Sequence, residues 1–373
     1  MSNQNSKILL SSPSGSIVGG ISRWTSHILD YHHSNKTNIE LFQFYPDGKG
    51  AYQNTPKMLR LWIGLSSYLP YLIKLRRVIR KTNVDVVHLV SSASLGLIRD
   101  ICSLTIAKGL KKKVIIHFRF GRIPELFIKR NWEYKLLSYV LKNADKVLVI
   151  DIASYSTLEQ FGYNNIELVP NPLSPIVSSI IKENRFIERD DHKILFAGHV
   201  VKTKGVYELI HACKSISDIR LMLIGHVSDE VKDDLIALAG PGSSKWLTIA
   251  GEVDFETTIK EMLSAGVFAL PTYTEGFPNV IIESMACGCP IVTTNVGAIP
   301  EMLDIGNGEN FGICIEPKNV DQLKDAITKM LNEKEYARNC GMNAQKRVNE
   351  LYSMPIVWTQ LENIWKSLKQ TGN

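Results

Sequence analysis

The sequence lacks several patterns that mark common protein classes. Its six cysteines are scattered, and none of them shows the paired Cys-x-x-Cys or Cys/His spacing of a zinc site. The start of the chain, MSNQNSKILLSS, does not contain the run of roughly 7 to 15 apolar residues that a secretory signal needs. No self-similar period of roughly 20 to 50 residues indicates a repeat array. We therefore expect a cytoplasmic protein without structural zinc or repeats.

Cofactor and metal motifs are also missing. A dehydrogenase with two α/β domains should show G-x-G-x-x-G after a strand and before a helix, but the nearest matches, GPGSSK at 240–245 and GNGENFG at 306–312, precede predicted strands. Neither a Walker A loop nor an Asp-x-Asp motif occurs in the sequence. These absences exclude the nicotinamide and P-loop classes, and they fit a function that uses no cofactor and no metal.

The sequence does contain the pattern of two α/β domains. Its 373 residues are 45% hydrophobic and 21% charged, and a chain of this length usually divides into two cores. Short runs rich in Val, Ile and Leu alternate with amphipathic stretches in both halves, which indicates parallel sheets. We predict domains at 1–175 and 190–352, joined by a connection over 173–191. A terminal helix over 353–373 carries an apolar stripe and should pack back on the first domain.

The segment Thr272–Pro300 contains the strongest functional pattern. Glu275 lies in the loop after the predicted strand Val267–Leu270, and Glu283 follows eight positions later. If a helix begins near Asn279, both carboxylates can face one ligand at its start. The helix dipole and the amides of the intervening turn suit a phosphate, whereas carboxylates suit hydroxyl groups. This arrangement predicts a nucleotide-sugar site.

These residues resemble the retaining glycosyltransferases of family 4, which have the GT-B fold of two Rossmann-like domains facing across a cleft. The resemblance rests on EGFPNVIIE followed by MACGCPIVTTNVGAIPEML, and it covers nearly the whole chain. It implies that Glu275 holds hydroxyls of the donor sugar and that Glu283 holds the ribose. It also implies donor contacts from the turn and helix start between these glutamates, at Gly276, Phe277, Pro278, Asn279 and Val280.

The loop GHVVKTKG at 198–205 is a second candidate segment. Lys204 matches the family lysine, and a cation there could stabilise the leaving diphosphate. His199 stands where related enzymes usually have arginine, so Lys202 is a candidate to supplement the grip on the phosphates. A solvated loop lysine is an equally good interpretation of Lys202.

Two candidates come from the first domain. Gly19 and Gly20 lie between the first strand and the first helix, where the resemblance implies contact with the donor phosphates, although a tight turn explains them equally well. His117 ends a predicted strand, and the resemblance implies that it faces the donor sugar. Lone histidines at such positions are more often structural.

Positive charge is concentrated in the first half of the chain. Residues 1–180 hold 23 Lys and Arg against 11 Asp and Glu, while the whole chain has a net charge of +6. The stretch 57–81 has seven basic and no acidic residues among leucines and aromatics, and lysines at 108–113 add to this charge. An anionic membrane surface on the inner face of the cell membrane or a buried helix with a basic face would explain it. Nothing beyond charge favours nucleic acid.

The sequence as a whole predicts a retaining, metal-independent transfer. The donor would be a UDP-sugar or a GDP-sugar, and the acceptor a glycan or a lipid-linked acceptor in envelope, capsular or O-antigen-type polysaccharide synthesis. His117, Glu275 and Lys204 are the candidate catalytic residues. The alternatives are a sugar-nucleotide epimerase or hydrolase on the same fold, and a non-catalytic interaction protein.

Overall fold

The structure is a computed structural model of the chain. It describes the residues 5–13, 20–45, 57–306 and 310–370. The chain divides into two compact units, of which the first combines Met1–Pro170 with Val357–Asn373 and the second is Asn171–Ile356. Each unit contains a six-stranded sheet flanked by helices, and all the strand pairs are parallel. The predicted α/β class with two doubly wound domains is therefore confirmed.

The first unit has strands along its sheet in the order β2-β1-β3-β4-β5-β6. These strands are β1 (Ser6–Ser11), β2 (Ile39–Phe44), β3 (Val86–Ser91), β4 (Lys113–Phe118), β5 (Lys146–Val149) and β6 (Ile166–Leu168). The helices between them are α1 (Gly20–Ser34), α2 (Lys57–Thr82), α3 (Gly96–Gly109), α4 (Ile123–Lys129), α5 (Trp132–Asn143) and α6 (Ile152–Gln160).

The central strand β3 shows why this sheet is covered on both faces. All six of its residues are buried, and successive side chains point to opposite faces of a sheet. Val87 and Leu89 join the large hydrophobic cluster on one face. His88 and Val90 lie on the opposite face of β3, because alternate residues of a strand share a face. Val90 pairs with His117 of β4, so His117 lies on the same face as His88. The sheet thus places two histidines among buried residues.

The second unit has the strand order β12-β11-β10-β7-β8-β9. Its strands are β7 (Asp190–Ala197), β8 (Arg220–Ile224), β9 (Leu247–Gly251), β10 (Ala265–Leu270), β11 (Ile291–Thr294) and β12 (Ile313–Ile315). Its helices are α7 (Pro175–Glu183), α8 (Val206–Cys213), α9 (Asp229–Ala239), α10 (Phe255–Ser264), α11 (Asn279–Ala286), α12 (Ile299–Met302), α13 (Val320–Asn332) and α14 (Lys334–Arg347), with a π-helical turn at Val348–Tyr352.

The segment 173–191 differs from the predicted connection between domains. It belongs to the second unit, and its helix α7 packs against α10 and α11. Pro175 occupies the first turn of α7, where its fixed φ favours helix formation. Arg189 then donates to the carbonyl oxygen of Ala265 at 2.5 Å. The proline and the charges that suggested a linker therefore start a helix and anchor it.

The last helix, α15 (Met354–Gln370), returns the chain to the first unit from Val357 onward. Trp358 and Trp365 on its apolar stripe are buried. Gln360 Nε2 donates to the carbonyl of Leu168 in β6 at 2.5 Å. Within the described part of the chain, no helix combines the length and apolarity that crossing a bilayer demands.

Candidate active site

Two loops leave neighbouring strands at the point where the second sheet reverses its order. β7 and β10 are paired, with Val267 opposite Ile194, although β8 follows β7 along the chain. In open α/β sheets, ligands bind beyond the carboxyl ends of the strands at such a reversal. The loops 198–205 and 271–278 both begin at these ends. Most of the residues predicted to bind the donor therefore lie at one edge of one sheet.

Backbone contacts hold these two loops together. The amide of Tyr273 donates to the carbonyl oxygen of Thr203 at 2.9 Å, and Thr272 Oγ1 donates to the same oxygen at 3.3 Å. Gly205 has a φ of +72°, and a Cβ added there would lie 1.9 Å from the carbonyl oxygen of Pro271. Only glycine permits this approach. The positions of the side chains on both loops are consequently linked.

The linked loops bring Lys204 and Glu275 into an ion pair between Lys204 Nζ and Glu275 Oε1. These are two of the three candidate catalytic residues, and they are 71 positions apart in the sequence. Their side chains keep 25% and 14% of their exposure, so a ligand can still reach both. The pair combines a cation suited to phosphate with a carboxylate suited to sugar hydroxyls.

A third loop supports the backbone around Glu275. The amide of Ala298 donates to the carbonyl oxygen of Gly276 at 2.9 Å. Gly297 has a φ of +57°, and a Cβ there would lie 2.2 Å from the carbonyl oxygen of Glu275. The loop that carries the carboxylate is thus packed against backbone on two sides, by Thr203 and Gly205 of the 198–205 loop and by the 297–298 turn.

Helix α11 begins at Asn279, which is where the sequence predicted its start. Asn171 Nδ2 donates to Asn279 Oδ1 at 2.7 Å, and the Phe277 ring packs edge-on against Tyr352 at 5.8 Å. These contacts fix the entry of the chain into the helix. Glu283 lies about one turn inside the helix and keeps only 8% of its exposure.

In the first unit, His117 lies near the carboxyl end of β4 and is fully buried. Its Nδ1 is 3.3 Å from His88 Nε2, and its Nε2 is 3.4 Å from Arg119 Nη1. The Trp24 ring stands edge-on to the His117 ring at 5.1 Å. Burial and the charge of Arg119 lower the pKa of His117 well below its usual value, so the imidazole is neutral near pH 7.

Two family descriptions match nearly the whole chain. Glycosyl transferases group 1 matches residues 177–347, and Glycosyltransferase Family 4 matches residues 18–175. The chain belongs to the family 4 type of GT-B glycosyltransferases. These matches confirm the predicted GT-B fold and the membership of glycosyltransferase family 4, whereas the retaining mode stays a prediction.

Individual glycosyltransferases resemble the chain to different extents. The capsular polysaccharide biosynthesis glycosyltransferase CapM of Staphylococcus aureus is 27% identical over 249 residues, which are 64% of this chain and 60% of CapM. Sucrose-phosphate synthase from Thermosynechococcus elongatus has a TM-score of 0.74 at 18% identity, covering 98% of this chain and 100% of that one. HepE from Anabaena, solved in complex with UDP, has a TM-score of 0.71 at 15% identity, covering 97% and 100%.

Two predicted donor contacts of this glycosyltransferase lie outside the ion pair. His199 is exposed, and its ring centroid is 6.2 Å from that of His226. Lys202 is exposed at the start of the short 3-10 turn Lys202–Lys204. The structure therefore separates Lys204, which is held by its neighbours, from Lys202, which extends into solvent.

The glycine pair of the first unit is only partly described. Gly20 is the first residue of α1, and a Cβ there would meet nothing within 4 Å. Gly19 lies outside the described residues. Across the described ranges, His, Cys, Asp and Glu side chains form no group of three that could hold a metal ion.

Several residues that position the glycosyltransferase site escaped sequence reasoning. Thr203 acts through its backbone carbonyl, and a backbone carbonyl is present in every residue type. Gly297 supports Glu275, which lies 22 positions away in the sequence. Asn171 contacts the donor loop at Phe277 and Asn279, which lie 106 and 108 positions away in the sequence. Glycine at 297, within the resemblance segment, was the one available signal.

Proposed function

We propose that this chain is a retaining, metal-independent glycosyltransferase that takes its sugar from a nucleotide-diphosphate donor. The acceptor is a glycan or a lipid-linked acceptor in the synthesis of a surface polysaccharide. The observation that carries this proposal is the Lys204–Glu275 pair beside the start of α11, at the strand reversal of the second unit.

The charges at this site match the parts of a nucleotide sugar. The first-turn amides of α11 and its dipole favour the diphosphate, and Lys204 adds a full positive charge. Glu275 accepts hydrogen bonds from sugar hydroxyls, and Glu283 accepts them from the ribose. As the glycosidic bond to the diphosphate breaks, negative charge grows where these donors converge. Such preorganised donors lower the barrier without a metal ion.

Retention follows if the acceptor hydroxyl attacks from the face that the diphosphate leaves. The departing diphosphate then takes the proton of the acceptor, and no covalent enzyme intermediate is needed. The main contribution of the protein is to orient both substrates and stabilise the leaving group.

The donor and acceptor classes draw support from similar proteins. HepE was solved with UDP, which favours a UDP-sugar over a GDP-sugar as the first donor to test. CapM is named for capsular polysaccharide biosynthesis, which favours a polysaccharide acceptor.

Nucleotide binding tests the donor site directly. We expect one of UDP, GDP or ADP, or its sugar, to raise the melting temperature in the presence of EDTA. The Glu283→Ala variant should lose this stabilisation, because the ribose hydroxyls then lack their acceptor. Thermal-shift measurements over a nucleotide panel make the comparison.

Glu261→Ala is the matched control for that experiment. Glu261 is a helical glutamate of the same unit, on α10, and it pairs with Lys193 away from the loops of the site. Its variant should keep the nucleotide shift. Stabilisation that requires added Mg²⁺ would overturn metal independence. Donor consumption that is equally fast without any acceptor would favour the hydrolase or epimerase alternative.

We also propose that helix α2 contacts an anionic membrane surface. Its buried side includes Leu75 and Ile79, while Leu69 and Ile73 are 67% and 52% exposed. Arg76 continues the exposed stripe at helical spacing, and Arg77 and Arg80 are exposed beside it. Exposed apolar residues followed by arginines are typical of helices that lie at a bilayer interface.

Vesicle co-sedimentation tests the membrane contact. We expect binding to vesicles rich in phosphatidylglycerol and none to neutral ones. Replacing Arg76, Arg77 and Arg80 by Gln should weaken binding by at least tenfold, since each basic residue contributes about 1 kcal/mol near an anionic surface. Lys232, Lys245 and Arg338 are exposed in the second unit, and their replacement by Gln removes the same charge as a control. Equal loss in both triple variants would refute a contact through α2.

The lysines at 108–113, the second group that the sequence predicted to face a membrane, are partly engaged in contacts within the first unit. Lys108 and Lys113 both pair with Asp145, at 2.6 and 3.8 Å. Lys112 Nζ donates to Asn83 Oδ1, just beyond the end of α2. The ion pairs reduce the charge that this group can offer to a membrane.

A further inference from the structure

A chain of ring nitrogens runs through the core of the first unit, from Trp365 through His88 to His117. Trp365 Nε1 donates to His88 Nδ1 at 3.1 Å, and His88 Nε2 is 3.3 Å from His117 Nδ1. The two imidazole planes are inclined by only 27°, with centroids 5.4 Å apart. All three side chains are fully buried. We call this group the Trp365–His88–His117 chain.

The indole sets the direction of every hydrogen bond in this chain. Its nitrogen can only donate, so His88 Nδ1 must accept and carries no proton. A neutral His88 therefore has its proton on Nε2, which donates to His117 Nδ1. A neutral His117 in turn has its proton on Nε2. Reversing the order would set the N–H groups of Trp365 and His88 against each other at 3.1 Å, which is closer than the 3.4 Å that separates the donors of His117 and Arg119 in the present order.

Both histidines must be neutral for this logic to hold. His88 is fully buried, and burial together with the charge of Arg119 lowers its pKa to about 3. Burial, Arg119 and His88 all lower the pKa of His117. Each neutral imidazole has one ring proton, on either Nδ1 or Nε2, and the indole N–H of Trp365 determines which of these tautomers forms.

The proton on His117 Nε2 has a consequence for Arg119. Arg119 Nη1 is 3.4 Å from this nitrogen, but two donors cannot hydrogen-bond to each other. The guanidinium stacks on the Trp24 ring at 4.7 Å, and none of the carboxylates in the described residues pairs with it. Two adjacent donors, one of them cationic, thus converge where a single acceptor oxygen could satisfy both.

We propose that Trp365 is a positioning residue, which acts through His88 to hold the proton of His117 on Nε2, so that this N–H and the guanidinium of Arg119 can donate to one ligand oxygen at the first unit. This inference rests on the proposed function for the identity of that oxygen. The direction of the hydrogen bonds does not depend on it. His117 and Arg119 would supply the two donors, and His88 and Trp365 act only through them.

Ring nitrogen shifts of the ligand-free protein test the direction of the chain. In protein labelled with ¹⁵N-histidine, long-range ¹H–¹⁵N spectra should show His88 and His117 with protonated Nε2 and bare Nδ1. His117→Asn assigns the His117 signals, and His88→Asn those of His88. A proton on Nδ1 of either residue in the wild type would overturn the proposal. These spectra require no substrate, so they test the direction of the hydrogen bonds independently of sugar transfer.

Trp365→Phe removes the donor and keeps an aromatic ring. We expect the Nδ1-protonated form of His117 to appear and kcat for sugar transfer to fall about tenfold. KM for the donor should change by less than about twofold, because the substitution leaves the proposed donor contacts at Lys204, Glu275 and Glu283 unchanged.

Trp358→Phe is the matched control for this variant. Trp358 is buried on the same helix and contacts Trp365, but its Nε1 donates to Glu362 at 3.0 Å. It should leave the histidine signals and kcat within about twofold of the wild type. Equal losses of kcat in both variants would mean that Trp365 acts only through packing. Correct histidine signals in a protein that binds no nucleotide would overturn the proposed function and leave the hydrogen-bond order intact.

Discussion

Replacing Lys204 by alanine should lower kcat for sugar transfer by about 100- to 1000-fold, the range seen when one preorganised donor to a developing anion is removed. Lys202→Ala should lower it by less than about threefold. The two lysines lie two positions apart, and only Lys204 is held against Glu275 by the linked loops. Steady-state rates with saturating donor, measured on both variants, make the comparison.

A double-mutant cycle separates charge stabilisation from loop support in this prediction. Lys204→Ala also leaves Glu275 without its ion-pair partner, which could disturb the loop. Glu275→Gln keeps the shape and removes the charge, so adding it to Lys204→Ala should relieve any repulsion between the carboxylate and the diphosphate. Equal losses for Lys204→Ala and Lys202→Ala would show that neither lysine is a specific contact of the leaving group.

Among the glycine-to-alanine changes in the loops of the site, Gly205→Ala should destabilise the second unit most. A Cβ at this position lies 1.9 Å from the carbonyl oxygen of Pro271, so the backbone of one loop must move. We expect a loss of about 3 to 5 kcal/mol in the free energy of unfolding, at the upper end of single substitutions. Urea unfolding followed by circular dichroism measures this change.

Gly242→Ala controls for backbone strain in that experiment. Gly242 has a φ of +78°, close to the +72° of Gly205, but a Cβ there meets nothing within 4 Å. The left-handed conformation alone should cost about 1 to 2 kcal/mol. The difference between the two variants therefore isolates the contact between the loops. Similar losses at both positions would mean that the Pro271 carbonyl yields easily and that the loops are not rigidly joined.

The elements of the donor site could be predicted because their signals are local. The strand before Glu275 and the start of α11 at Asn279 follow from a buried apolar run and a Gly-Phe-Pro-Asn turn. The relative positions of residues within one short segment can be predicted from their spacing in the sequence alone. The family resemblance added roles that spacing could not supply, above all for Lys204.

The supporting contacts were beyond prediction because their partners are distant in sequence. Asn171 reaches Asn279 across 108 positions, and Trp365 reaches His88 across 277. The link at Thr203 uses a backbone carbonyl, which every residue possesses. Segment 173–191 was misread for a related reason, since a proline at a helix start and a proline in a linker look alike in sequence.

The return of α15 to the first unit also orders the events of synthesis. The ribosome makes residues 1–170 long before Trp365 is added, so the sheet of the first unit can form during synthesis while its last helix is still missing. Throughout that interval His88 has no indole to fix its proton, and Gln360 has not yet covered the end of β6. A nascent chain therefore gains the hydrogen bond from Trp365 to His88 only after residue 365 has left the ribosome.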